Sequence, residues 1–243
     1  MSMNGRAILA VALLLVSAPT FGQSLKSDWI TDDRTGCKVW DRDPHPKESI
    51  TWSGACRNGK AQGRGGLDWF RDGKLVFHFE GALRGGKVSG RGVEAFANGD
   101  RLEGEFRDGN AKGHGVYTFG DGDRFDGQFR DGKPNGHGVY SFANGNRYDG
   151  QWRDGKANGH GVKTFASGDR YIGEWKVNKM NGRGTYILAD GTRYDGEFVD
   201  GLPNGHGNAV WPNGTRFDGV WVEGCYRDAN QTASFGVDQS SCQ

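Results

Sequence analysis

The sequence predicts an all-β fold: an elongated single antiparallel meander sheet of stacked β-hairpins, a repeat or solenoid-like architecture. An aromatic residue or leucine returns every 23 positions as Leu102, Phe125, Tyr148, Tyr171, Tyr194 and Phe217, with Phe79 one period upstream and Trp52 27 residues before that. A glycine stands two places after each of these anchors, from Gly54 and Gly81 to Gly196 and Gly219. Turn chemistry such as Asp154-Gly155 separates the candidate strands. Self-similarity at one period of 20–50 residues marks stacked supersecondary units, so function is sought on a stacked surface rather than in one pocket.

Composition alone is ambiguous. The 243-residue chain is 35% hydrophobic with 43 glycines and a net charge of +1, and polar, glycine-rich chains often bury too little apolar surface to order. Aromatics at 12% and at fixed phase oppose disorder here. The near-neutral charge lacks the basic footprint of a nucleic-acid binder.

Residues 1–22 read as a secretory signal peptide. Arg6 supplies the positive start, Ala7 to Val16 an apolar run, and small residues follow. That run is shorter than the ~20 apolar residues a bilayer span requires, so no transmembrane segment is expected after cleavage. The mature protein is expected to be exported, to the periplasm or the cell exterior.

Residues 23–51 and 225–243 flank the repeats as caps, each expected to be pinned by one disulfide, with Cys37 in the first and Cys56 just beyond it, and Cys225 and Cys242 in the second; disulfides persist in exported proteins. If about fifteen strands separate the ends at ~4.8 Å each, the termini lie ~70 Å apart, whereas bridged Cα atoms lie within ~7 Å. The expected pairs are Cys37 with Cys56 and Cys225 with Cys242, unless the sheet closes on itself. A zinc site is the alternative, but Cys-x-x-Cys spacing is absent.

Within one repeat, Tyr148, Gly150 and Trp152 share a strand face, and Arg147, Asp149, Gln151 and Arg153 share the other. Asp154-Gly155 reverses the chain, and a second strand is expected from near Gly159 to Phe165. The glycines leave room for rings to lie across a neighbouring strand. Arginines before the anchors (Arg101 to Arg216) and acids after them (Glu80 to Asp218) are expected to pair across adjacent strands, stabilising the sheet by roughly 0.2–1 kcal/mol each.

The run Tyr148-Asp-Gly150-Gln-Trp152-Arg-Asp-Gly155-Lys-Ala-Asn-Gly159-His-Gly161 closely resembles the MORN repeat, the membrane occupation and recognition nexus motif. The resemblance covers residues 52–224 as seven repeats and a truncated eighth. Cys56 and Leu83 depart from it at the second aromatic, and Asn178 at the turn glycine. It implies an antiparallel sheet that binds proteins, with phospholipid binding proposed for some members. Many members carry an enzyme domain; the flanks here are expected to be caps instead.

No catalytic constellation stands out: the nucleophile elbow, the Walker lysine motif and the His-Glu-x-x-His helix are all missing from the sequence. The expectation is a non-enzymatic scaffold without cofactor or metal that binds a protein partner in the cell envelope, the alternative being a phospholipid-headgroup module on an anionic lipid surface. Candidate partner-binding residues fall in two columns. His114, His137 and His160, between paired glycines, would form a basic column that strengthens as imidazoles charge between about pH 7 and 5. Tyr117 and Tyr140 stand where other repeats carry Glu94 and Lys163, and such a place is expected on or near the surface, making these rings a candidate hot spot.

Overall fold

The computed structural model describes residues 28–42 and 44–242; the expected signal peptide and the start of the N-terminal cap lie outside the described residues. The fold is all-β, with a single 3₁₀ turn at Gln239–Cys242 among the described residues. The chain divides into two compact units between Pro134 and Asn135.

In the first unit β1 (Asp28–Thr31) and β2 (Lys38–Asp41) form a hairpin, and β3 (Glu48–Trp52) and β4 (Ala55–Arg57) both lie against β5 (Lys60–Arg71). From β5 the chain runs as an antiparallel meander through β6 (Lys74–Arg84), β7 (Lys87–Phe96), β8 (Arg101–Arg107), β9 (Asn110–Thr118) and β10 (Arg124–Arg130). β2 meets β5 in parallel at Lys38 and Lys60.

The second unit is an antiparallel meander from β11 (Lys133–Ser141) through β12 (Arg147–Arg153), β13 (Lys156–Thr164), β14 (Arg170–Lys176), β15 (Lys179–Ile187), β16 (Arg193–Val199), β17 (Leu202–Val210) and β18 (Arg216–Val222). It ends in the short strands β19 (Cys225–Arg227) and β20 (Thr232–Ser234).

Each hairpin is built by the same physics. Asp154 and Gly155 have φ of 50° and 78°, the paired left-handed conformation whose twist matches flanking antiparallel strands. Beyond the turn, Trp152 pairs with Ala157 but Gly150 pairs with Gly161, leaving extra residues in β13. This bulge, with Gly159 at φ 104°, is where the second strand departs from the expected Gly159 start: β13 begins at Lys156 and ends at Thr164.

Gly150 and Gly161 then lie side by side, and the Tyr148 ring lies across both. A Cβ added at Gly161 would stand 2.5–2.6 Å from the Tyr148 hydroxyl and ring carbons, closer than packed atoms tolerate. Tyr171 covers Gly173 and Gly184 in the same way, and Tyr194 covers Gly196 and Gly207. The buried hydroxyls of Tyr148, Tyr171 and Tyr194 donate to the carbonyls of Gln151, Glu174 and Glu197 at 3.0–3.1 Å. Burial holds their pKa values above the ordinary phenol range.

The anchors join into an edge-to-face ladder through the second unit: Tyr148 with Trp152 and Trp175, Tyr171 with Trp175 and Phe198, Tyr194 with Phe198 and Trp221, at centroid distances of 5.0–5.3 Å. Such contacts contribute roughly 0.5–1.5 kcal/mol each beyond area burial. In the first unit Phe79 packs on Phe106 and Phe125 on Phe129.

The caps are held as the cysteine spacing suggested. Cys37 pairs with Cys56 and Cys225 with Cys242, at Cα separations of 5.6 and 5.4 Å. In the N-terminal cap the buried Asp32 carboxylate accepts the Trp52 amide at 2.8 Å. Burial opposes its charge, but the Arg34 side chain and the Trp52 and Arg34 amides outweigh that and hold its pKa at about 2. In the C-terminal cap the Phe235 ring packs against Tyr186 and Tyr194.

One turn breaks the rule. Where the other two-residue turns place a glycine second, as in Asp108-Gly109, Asp131-Gly132, Asp154-Gly155 and Asp200-Gly201, this one has Val177 at φ 49° and Asn178 at φ 67°, and a β-branched side chain in the left-handed region is sterically costly. Asn178 compensates by accepting the Ala157 amide through Oδ1 at 2.8 Å while its own amide donates to the Ala157 carbonyl. Val177 is half exposed and has little burial to lose. Val177→Asp is therefore expected to raise the unfolding free energy by about 1 kcal/mol, read as a shifted urea midpoint with an unchanged slope.

Candidate functional site

Strand alternation gives each unit an aromatic face, buried under its own rings and caps, and a polar face. Tyr117 and Tyr140 are on the aromatic face, contrary to the surface position expected for them: they are 0% and 3% exposed. The physical reason is a pin between successive turns. Tyr117 Oη donates to Asp100 Oδ2 at 2.6 Å, while Asp100 Oδ1 accepts the Gly120 amide at 2.8 Å. Tyr186 bonds Asp169 likewise, and Asp169 Oδ1 accepts the Ala189 amide. Tyr140 packs 4.4 Å from Phe142. These tyrosines tie one repeat to the next, and a partner cannot reach their rings.

The polar members of the same column also lie on the aromatic face. Lys163 is 4% exposed, with its ammonium 4.6 Å from the Phe165 ring centroid, and burial pushes its pKa down to about 8. Asn146 stands at the preceding turn, where Tyr186 finds Asp169; its Oδ1 accepts the Ala166 amide. Glu94 is half-buried between Phe79 and Leu102 in register, and burial raises its pKa to about 7.

The polar face carries the other candidates. His114 Nε2 lies 2.9 Å from Asp126 and His137 Nε2 lies 3.1 Å from Asp149, each carboxylate also holding an arginine, Arg124 or Arg147. These His–Asp contacts cross between strands. The arginine pairs do not: Arg101–Glu103, Arg124–Asp126, Arg147–Asp149 and Arg193–Asp195 join residues two apart on one strand, correcting the cross-strand pairing expected for them. A strand's alternate residues point the same way, so the long arginine reaches its own neighbour first. His160 is exposed; the position twelve residues on, which gives His114 and His137 their aspartates, is Ile172 here.

Within the first unit a cleft of about 580 Å³ opens on this face. Glycines of β7, β8 and β9 line it, with Arg64, Arg91 and His114 against Glu80, Glu103 and Glu105. Val93 and Val116 add apolar lining. Internal pairing is uneven. Glu103 is held by Arg101 at 2.9 Å and His114 by Asp126, whereas Arg91 approaches Glu105 only to 3.8 Å with 88% of its side chain exposed. Sequence reading singled out His114 in this cleft but missed the acidic side; the signal was present in Glu80 and Glu103, read there only as sheet-stabilising charge. No group of three or more His, Cys, Asp or Glu side chains placed to hold a metal occurs among the described residues.

Lys163 supplies a pH test of this geometry. Its native pKa of about 8 lies below the reference 10.5, so between those values the unfolded chain holds a proton the native protein has released, and stability rises with pH across that window. Lys163→Met is expected to remove this rise and to raise stability below pH ~8 by about 1–3 kcal/mol. Urea unfolding at about pH 7 and about pH 10 reads both effects.

A family model described as the MORN repeat matches residues 79–101, 103–124, 125–147, 148–170, 171–193 and 194–216. Trp52 lies outside those spans, yet its ring covers Gly54 and Gly65 as the later anchors cover theirs. No curated protein matches the chain. Among solved structures, the chain is similar to the SAS-4 (dCPAP) TCP domain of Drosophila melanogaster in complex with a proline-rich motif of Ana2 (dSTIL). That match has 16% identity, covers 86% of this chain and 99% of the other, and has a TM-score of 0.37. A microcephaly protein CPAP G-box domain matches at 10% identity, over 65% and 82% of the two chains, with a TM-score of 0.40. The TCP10c domain of Drosophila melanogaster Sas-4 matches at 16% identity, over 63% and 90%, with a TM-score of 0.35.

Proposed function

Because the chain belongs to the MORN-repeat family, we propose that it is a non-enzymatic scaffold, exported to the periplasm or cell exterior, that binds a protein partner in the cell envelope through its polar face. The observation that carries this reading is the glycine-lined cleft of the first unit, rimmed by both signs of charge. A mixed rim selects a partner by point charges and disfavours a uniformly anionic surface, because Glu80, Glu103 and Glu105 repel it.

A binding role is further supported by where the displaced pKa values lie. Glu94, Lys163 and the buried tyrosines are on the aromatic face, whereas catalytic sites concentrate such groups in clefts. Export is supported by the two cysteine pairs, and no helix among the described residues is long and apolar enough to cross a membrane.

The test is cross-linking capture from cell envelopes by the native protein and by the double variant Arg64→Glu/Arg91→Glu, with circular dichroism confirming the fold of both. The expected result is one or more partners captured by the native protein and lost by at least about tenfold with the variant. Capture unaffected by the charge reversal contradicts the use of this face. Salt-sensitive co-sedimentation with anionic liposomes, with no protein captured, would replace the scaffold with the phospholipid-headgroup module.

A further inference from the structure

The bulges on the polar face differ in one respect. In β13 the bulge amide of His160 donates to Gln151 Oε1 at 3.0 Å, and in β15 the bulge amide of Arg183 donates to Glu174 Oε1 at 3.0 Å. In both, a side-chain oxygen from the preceding strand folds over the bulge glycine. A Cβ added at Gly159 or Gly182 would collide with Gln151 or Glu174, and one at Gly205 with Glu197. The equivalent residue before the β7 bulge is Ala82, which has no side-chain oxygen to offer the Arg91 amide. Correspondingly, a Cβ at Gly90 meets nothing within 4 Å.

Two arginines flank this open place in the strand register. Ala82 pairs in register with Arg64 on one side and lies beside the Ser89–Arg91 bulge on the other. Arg64 and Arg91 both border the cleft described above, and Arg91 is only loosely engaged by Glu105 at 3.8 Å.

We propose that the β7 bulge is a carboxylate-binding site: an acidic side chain or C-terminus of an extended polypeptide supplies from outside the oxygen that Gln151 and Glu174 supply from within. The ligand carboxylate accepts the Arg91 amide and is flanked by the Arg64 and Arg91 guanidiniums, whose planar forks match it. The internal occupants of the same place are a carboxamide and carboxylates, which sets the geometry for a planar group. Glu80, Glu103 and Glu105 around it, each more than half exposed at the side chain, repel a phosphate dianion or an anionic bilayer more strongly than a single carboxylate. The proposal rests on the polar-face reading and names the chemistry recognised there.

The probe is N-acetyl-glutamate methylamide, titrated into the ¹⁵N-labelled full chain, with inorganic phosphate and anionic phosphatidylglycerol vesicles as parallel arms. The expected result is saturable shifts at the Gly90 and Arg91 amides, and binding at least about tenfold weaker in Ala82→Gln. That variant builds in the acceptor, as Gln151 does, and keeps the native thermal midpoint. Arg64→Gln is expected to weaken binding without moving the amide shifts elsewhere. Absence of saturable shifts in the native protein overturns the proposal, as does binding that survives in Ala82→Gln, or phosphate or vesicles competing more strongly than the glutamate probe. Failure of the capture experiment with this titration intact would retract the scaffold reading and leave the site standing.

Discussion

The contact on which the rest of the structure depends is a ring laid flat across two glycines on neighbouring strands. In water a two-stranded hairpin is marginal, and among the described residues no helix layer covers the sheet. It makes its core from rings folded down onto their own sheet, which requires strand positions with no side chain. Tyr148 over Gly150 and Gly161 shows the geometry at its tightest, with the hydroxyl tied to the Gln151 carbonyl. The next aromatic in the repeat then stands edge-on to the anchor and donates its indole N–H to a glycine carbonyl, as Trp152 does to Gly138 and Trp175 to Gly161. One periodic choice of residue thereby fixes the strand pairing, the core and the coupling between repeats.

Burial of the rings on one face leaves the other free for polar chemistry. Its glycines form a backbone floor, and its charged side chains are short-circuited along single strands at Arg124–Asp126, Arg147–Asp149 and Arg193–Asp195. The recognition capacity is therefore concentrated where this internal neutralisation is incomplete, at Arg64, Arg91 and Ala82 in the first unit. The exposed Ile172 and Val220 of the second unit interrupt the same charged columns.

Much of the fold was legible because its determinants recur. The anchors, the second aromatics, the turn residues and the cysteine pairs each follow from period, alternation and chain geometry. Tyr117 and Tyr140 were not legible, since a column that reads Glu94, Tyr117, Tyr140, Lys163, Tyr186 and Ala209 looks tolerant and therefore exposed. The structure buries it because Tyr117 and Tyr186 each answer a turn residue seventeen positions earlier, Asp100 and Asp169, and that pairing is visible only once the register is known. The bulge was equally hidden: alternation places Gln151 and Glu174 among the exposed charges, and only the folded backbone shows their oxygens turned onto an amide. The same knowledge turns Ala82 from an unremarkable small residue into a gap.

The central claim is that the ring-over-glycine contact, rather than the glycine's backbone freedom, sets the repeat. A double-mutant cycle at Tyr148 and Gly161 measures it directly, because the three nearest neighbours of a Cβ at Gly161 all belong to the Tyr148 side chain. Gly161→Ala should cost about 1–3 kcal/mol in the native background and less than about 0.5 kcal/mol once Tyr148→Ala has removed the ring. Equal costs in the two backgrounds would contradict the account.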